Sequence, residues 1–297
     1  ALRLYDLFDV TGDLSAAPSG SIRQGEDVPA AETWQAIVRE VEQQLRSGGE
    51  LGKVVLARQY RVQGRTIFNP ARVLARLRTQ YSDCFLFAVA RGERCFLGAS
   101  PERLVRLRHE NVRASCLAGS IARGATPEED ARLGEELLAS PKDRAEHEFV
   151  VRAICDNLAE VCGGRLSTGP LSLMKLRNIQ HLFTPIVGRV SRGRNILDLV
   201  ERLHPTPAMG GTPREPAMAL IREFEGMDRG WYASPVGWMD ARGEGEFAVA
   251  IRSALLRGAQ AVLFAGCGIV AGSDPAREYA ESCLKLRPML SVLGGGA

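Results

Sequence analysis

Cys84-Phe-Leu-Phe-Ala-Val-Ala90, Arg91-Gly92-Glu93, Arg94-Cys-Phe-Leu-Gly-Ala99 reads as two apolar strands folded back about a short turn. The pattern recurs at once, with strand-like runs near 103–108 and 112–117 split by His109-Glu110-Asn111. Helices are set between such pairs. Trp34, Ile37, Val38, Val41 and Leu45 recur at helical spacing, and Gly48-Gly49 ends that helix. A strand over 53–62 follows, and Asn69-Pro70 supplies an N-cap and first-turn proline for a helix to about Thr79. Thr126-Pro127-Glu128-Glu129 reads as a capping box, and Ser140-Pro141-Lys142-Asp143 repeats the start signal for a helix to about Cys162.

Further along, a strand region spans 171–190, and helices cover 195–203 and part of 214–225. Strand-like runs at 232–240, 246–256 and 261–270 precede a last helix opening at Asp274-Pro275. No steady strand–helix–strand rhythm appears. The class is therefore α+β, with mostly antiparallel sheets packed with flanking helices. Residues 1–30, rich in Gly, Ser, Ala and Pro, form an N-terminal arm or the remnant of a longer region; residues 31–297 form one domain.

Composition narrows the partners. With 45% hydrophobic and 25% charged residues, the 297-residue chain is of ordinary globular type, and a net charge of +3 excludes a nucleic-acid-binding electrostatic footprint. No run of about 18 apolar residues suggests a membrane span. Seven cysteines without a CxxC pair fit neither a disulfide framework nor a zinc site, and read as reduced thiols in a cytoplasm.

Two acidic pairs at helical i, i+3 spacing stand out: Asp143 with Glu146, and Glu278 with Glu281. Each pair points its charge from one helix face. Brought together they would make an oxygen-rich site for a hard cation such as Mg²⁺; apart they are solvated faces. Lysine is scarce, only Lys53, Lys142, Lys175 and Lys285 among 38 basic residues. Lys53, in a β-branched run, is either an edge-protecting charge or a buried base. Glu102, held at a strand end by Pro101, is either a turn acid or a general acid whose pKa burial raises.

Gly266-Cys-Gly268 through Asp274 runs from a strand into a helix start, giving either an anion cradle or a plain turn. Tyr232 and Arg252, in neighbouring strand-like runs, suit a carboxylate or form an exposed pair. His204-Pro-Thr-Pro-Ala208-Met-Gly-Gly211 is stiff enough to shape a pocket wall. His147 and His181 lack a second histidine at ligand spacing.

Nine segments in order, from Lys53-Val-Val-Leu-Ala-Arg58 through Phe96–Leu104, Leu117–Ile121, Lys142–His147, Gln180-His-Leu182, His204–Ala208, Ala250-Ile-Arg252 and Gly266–Ile269 to Glu278-Tyr-Ala-Glu281, resemble the chorismate-utilising enzymes. These include isochorismate, salicylate, anthranilate and aminodeoxychorismate synthases, and the resemblance covers roughly 32–292. Ammonia-using members carry a threonine where this chain has Ala208. Ala208 and Lys53 resemble the water-using isochorismate synthase branch, with salicylate synthase as the alternative and no glutaminase subunit expected.

The resemblance implies that 31–297 is a chorismate-binding catalytic domain, an isomerase serving menaquinone or siderophore synthesis. It implies Lys53 as the base activating water at C2 and Glu102 as the acid at the departing C4 hydroxyl. Mg²⁺ would sit on Glu146 and Glu281, backed by Asp143 and Glu278. Tyr232, Arg252, Gly266 and Gly268 would receive the pyruvyl carboxylate, with His181 and Ala208 lining the pocket. Members usually carry a longer N-terminal region completing the sheets, so this chain is expected to be a short or truncated form, with a non-catalytic chorismate-binding module as a further alternative.

Overall fold

The computed structural model describes residues 22–294. In chain order the elements are β1 (Ile22–Val28), α1 (Ala31–Arg46), β2 (Lys53–Gly64), α2 (Pro70–Gln80), β3 (Phe85–Arg91), β4 (Arg94–Ser100) and β5 (Arg103–Arg108). Then come β6 (Asn111–Ala122), α3 (Pro127–Ala139), α4 (Pro141–Ala159), β7 (Leu166–Thr168), β8 (Ser172–Lys175), β9 (Ile179–Arg189) and α5 (Ile196–Leu203). The rest are β10 (Gly211–Thr212), α6 (Arg214–Phe224), β11 (Pro235–Met239), β12 (Gly245–Val249), β13 (Ser253–Arg257), β14 (Gln260–Ile269) and α7 (Pro275–Leu293).

The strands form two antiparallel sheets. The first runs β1-β2-β14-β13-β4-β3, with β10 also on β2; the second runs β11-β12-β5-β6-β9-β7, with β8 also on β9. Against the first sheet pack α2 and α7, through Val73, Leu77, Leu286 and Met289 on Cys95, Leu97 and Leu263. At its other end Trp34 and Val38 of α1 and Ala217 and Ile221 of α6 meet Val54, Leu56 and Ile269. The second sheet is covered by Val150 and Ile154 of α4 and Leu199 of α5. Phe96 and Phe264 of the first sheet join that same core, so one apolar interior ties the sheets together.

Caps set the helix starts that aim the site. Asn69 accepts from the Ala71 and Arg72 amides, Ser140 from Asp143, and Asp274 from Arg277. At α3 the Thr126 side chain accepts from Glu129 N, yet the Glu129 carboxylate returns to Ala125 N at 2.7 Å instead of closing the expected box. The carboxylate thus reaches the amide one residue before the cap, outside the helix.

Four expectations change. Most of the arm expected over 1–30 lies outside the described residues, but Ile22–Val28 is a strand of the first sheet, paired with Gln59–Gly64. The run expected at 246–256 divides: β12 pairs with β5 in the second sheet and β13 with β4 and β14 in the first. The break falls at Arg252, whose φ of 51° no strand accommodates. The run at 232–240 becomes strand only from Pro235, because Ala233 also takes a positive φ, 64°. Finally, 171–190 is a hairpin of β8 and β9, and β7 at Leu166–Thr168 has too little alternation to be seen in sequence.

Candidate active site

The strand switch at Ala250-Ile251-Arg252 and the first-sheet strands β2 and β14 converge with α4 and α7 on one small pocket. Lys53, Glu102, Glu146, His181, Ala208, Tyr232, Arg252, Gly266, Gly268 and Glu281 all line it. Asp143 and Glu278 do not line it. The pocket is about 60 Å³, room for about two waters. Lys53, Arg252 and Lys285 reach into it and narrow it. A larger hollow of about 1140 Å³, bordered by exposed Arg61, Arg94 and Arg257, shares only Arg229 with this pocket and gathers no buried acid or base. The chemistry belongs to the smaller one, where buried titratable groups with shifted pKa values converge.

Lys53 opens β2, an interior strand paired on both sides, with Thr212 and Val54's partner Ile269 flanking it. It is 1% exposed, and its Nζ donates to Glu146 Oε1 at 2.9 Å. The edge-charge alternative therefore falls away. Gly268 makes that contact possible: a Cβ there would stand 2.5 Å from Glu146 Oε1 and 2.6 Å from Lys53 Cε. Burial works to raise the Glu146 pKa, but the charge and hydrogen bond of Lys53 outweigh it and the net shift is downward.

Glu102 follows β4 at Ser100-Pro101, is buried, and has no hydrogen bond to its carboxyl among the described residues. Burial raises its pKa to about 7, against the opposing charges of Arg252, Lys53 and Lys285. A carboxyl poised near neutrality can hold a proton and give it away.

Arg252 is a buried guanidinium with no ion-pairing carboxylate among the described residues. Its Nη2 lies 3.2 Å from His181 Nε2, and His181 Nδ1 lies 2.8 Å from Ser120 Oγ. Burial, then Arg252 and Lys285, drive the His181 pKa well below its usual value, so the ring is neutral. Since Arg252 can only donate, Nε2 accepts and Nδ1–H donates to Ser120. A buried cation without a partner favours an incoming anion. Tyr232 stacks on Phe264 at 5.2 Å, and burial pushes its phenol to about 12, keeping it a donor.

The anion cradle expected at the α7 start is closed. Asp274 caps Arg277 N, and Glu42 of α1 takes the Gly272 amide at 2.7 Å. Gly266 and Gly268 lie instead within β14, paired with Ala57 and Val55. On the other side β13 pairs only as far as Leu263, which leaves the β14 edge open there.

The acidic pairs come together. Glu278 is buried and accepts from Lys142 at 2.5 Å; burial and then Glu281 raise its pKa. Asp143 is also raised, by burial first, then by Glu146 and Glu281 against its bond from Ser140 and the charge of Lys142. Ligand atoms of Glu278, Glu281 and Cys267 lie within 4.8 Å of one another. Burial holds the Cys267 thiol far above its ordinary pKa, and Sγ donates to the Glu278 carbonyl, so sulfur is no ligand. What remains is an all-oxygen carboxylate set with mutual repulsion to relieve, which fits a hard cation such as Mg²⁺.

Sequence reasoning missed Lys285 and Ser120. Lys285 donates to Glu281 at 2.6 Å and to the Gly266 carbonyl at 2.9 Å. Burial opposes its charge, but Cys267 and Glu281 raise its pKa overall. Its i+4 offset from Glu281, together with the scarcity of lysine, was the available signal.

Residues 9–294 match the model of a family described as chorismate binding enzyme. The chain is 50% identical over 270 residues to the salicylate biosynthesis isochorismate synthase of Pseudomonas aeruginosa, covering 88% of this chain and 55% of that protein. It is 49% identical over 247 residues to isochorismate synthase MenF of Bacillus subtilis, covering 82% and 52%. A crystal structure of a putative 2,3-dihydroxybenzoate-specific isochorismate synthase, DhbC from Bacillus anthracis, superposes with a TM-score of 0.88 at 33% identity over 95% of this chain and 76% of that one. The chain spans about half the length of the two curated relatives. With the matched model running through every strand and helix that builds the pocket, the chain belongs to the chorismate-binding enzymes.

Proposed function

We propose that this site isomerises chorismate to isochorismate. The observation that carries the reading is a buried lysine and a buried carboxyl of near-neutral pKa lining one pocket, Lys53 and Glu102. Lys53 takes a proton from a water whose oxygen bonds to C2. The ring electrons shift, the C4–O bond breaks, and Glu102 gives its proton to the departing hydroxyl, which leaves as water. Water enters and water leaves, so the formula is unchanged. Lys53 accepts that proton as the neutral amine, and its contact with Glu146 would open when Glu146 turns to a cation.

Arg252 and Tyr232, beside the open β14 edge at Gly266 and Gly268, receive the pyruvyl carboxylate; neutral His181 holds Arg252 from behind. Ala208 offers a methyl where the ammonia-using enzymes carry a hydroxyl, which favours water as nucleophile. Glu146 and Glu281, backed by Asp143 and Glu278, would hold Mg²⁺, which supplies Lewis-acid stabilisation of charge on the ring carboxylate. A substituted ring needs more room than about 60 Å³, so binding requires the lining to open, with Lys285 giving way while Arg252 stays to meet the carboxylate. All seven cysteines are free, and no helix among the described residues is long and apolar enough to cross a membrane. A cytoplasmic reaction, its product feeding menaquinone or siderophore synthesis, completes the reading.

The test is chromatography of products formed from chorismate by the purified chain, with and without Mg²⁺. Isochorismate formed only with Mg²⁺ is expected. Salicylate with pyruvate would replace this reading by salicylate synthase. Binding without turnover would make the chain a chorismate-binding module.

A further inference from the structure

Five residues after Lys53, on the same strand, Arg58 is fully buried, 0% exposed, and reaches away toward α7. Its Nε donates to Ser282 Oγ at 2.7 Å and its Nη2 to Cys283 Sγ at 3.1 Å. The guanidinium carbon stands 4.6 Å over the Tyr279 ring, and Nη1 pairs with the Asp27 carboxylate of β1. Tyr279 closes the loop by donating its hydroxyl to Asp27 at 2.9 Å. One planar fork thus grips three side chains of a single helix.

Those three are neighbours of the acidic stripe. Glu278, Glu281 and Lys285 share one face of α7, and Tyr279, Ser282 and Cys283 lie about 100° round the axis. Fixing the second face fixes the roll of the first. The lever arm is long: with carboxylate oxygens about 5–6 Å from the axis, a roll of about 20° displaces them by about 2 Å. Cation coordination tolerates roughly 0.2 Å. The C-terminal half of α7 is anchored by Leu286, Met289 and Val292, whereas Glu278 and Glu281 are held through ion pairs with Lys142 and Lys285, with which a cation would compete.

We propose that Arg58, seated by Asp27 and Tyr279, is a positioning residue for the acidic face of α7, holding Glu278 and Glu281 in register for a divalent cation. The inference rests on the cation reading above. It also gives β1 a task beyond completing the sheet: its carboxylate sets the fork that orients a helix from the far end of the chain.

The test is direct titration of Mn²⁺, a paramagnetic stand-in for Mg²⁺, into the whole chain without chorismate, read by electron paramagnetic resonance. Arg58→Lys keeps the charge and loses the fork, and should weaken Mn²⁺ binding about tenfold, the low end of what direct partners of ligands do, since it acts through the helix. Tyr279→Phe keeps the ring under the guanidinium and removes only the bond to Asp27, and should weaken it about threefold. A clamp that serves stability alone would lower the melting temperature while leaving Mn²⁺ affinity unchanged; that result overturns the proposal. Should Arg58→Lys fail to fold, Tyr279→Phe decides alone, by the same criterion. Glu281→Gln is the control. No Mn²⁺ binding by the unaltered chain, or undiminished binding by Glu281→Gln, strikes the cation reading itself and the positioning proposal with it. Loss in Glu281→Gln beside unchanged Arg58→Lys and Tyr279→Phe strikes the positioning proposal only.

Discussion

Asp130 and Glu102 are equally hidden from solvent, each 6% exposed, yet their environments drive them in opposite directions. Asp130 accepts from Arg123 Nε at 2.5 Å, from Lys175 at 2.8 Å and from the Gly124 amide at 3.1 Å. Its pKa falls far below the usual carboxylate range, led by the Arg123 and Lys175 bonds. It is covered mostly by its own cation partners, near the surface. Glu102 lies deep and has no partner bonded to its carboxyl, so burial dominates and its pKa rises. Exposure alone does not sort structural acids from reactive ones; the sorting comes from whether the fold supplies donors.

The sharpest way to break this contrast is to neutralise each acid. Glu102→Gln, which keeps the shape and removes the transferable proton, should cost about 10²–10⁴-fold in kcat for chorismate conversion, with the far-ultraviolet circular dichroism unchanged. Lys53→Ala should fall in the same range. A rate within a factor of about two of the unaltered chain in either variant would remove that residue from the acid–base pair.

Next in size is the pH dependence. Glu102 acts as an acid only while protonated, so kcat should fall about tenfold per pH unit above about 7, where its pKa lies. Stability follows the same sign: with its pKa raised in the folded state, Glu102 contributes stability that is present below its unfolded value and lost as pH rises toward about 7. Glu102→Gln should flatten that limb in thermal melts at stepped pH. Asp130, with a lowered pKa, works the other way; its contribution is present above the ordinary carboxylate range and lost only in strong acid.

A smaller effect is expected at the cation site. Glu281→Gln should raise the Mg²⁺ concentration for half-maximal rate by about tenfold or more; an unmoved Mg²⁺ titration curve would exclude it as a ligand. Smallest of all, Asp130→Asn should lower the melting temperature while leaving kcat per folded molecule unchanged. A drop in kcat there would mean that the Arg123–Asp130–Lys175 cluster reaches the pocket after all, through Gln180 beside His181.

Local signals were readable wherever short-range physics decides them. Asn69, Ser140 and Asp274 each capped the helix their position announced, because a cap needs only its own next three residues. The run at 246–256 was misread as one strand because its apolar character is continuous; the sheet change depends on the backbone turn at Arg252, which composition does not display. Ser120 and Lys285 went unseen as site residues because a lone serine and an i+4 lysine are common on any surface. Their significance lies in the partners, His181 and the Gly266 carbonyl, that the fold brings to them.

By itself the sequence determined the class of fold, the acidic pairs on two helix faces and the ordered segments that mark the family, since these rest on spacing within a few residues. Only the tertiary structure decided that Lys53 is buried against Glu146, that Glu42 of α1 closes the turn before α7 at Gly272, and that the two acidic pairs meet. The reason is physical. A charge's chemistry is set by desolvation and by neighbours within a few ångströms, and here those neighbours are more than 90 residues away along the chain.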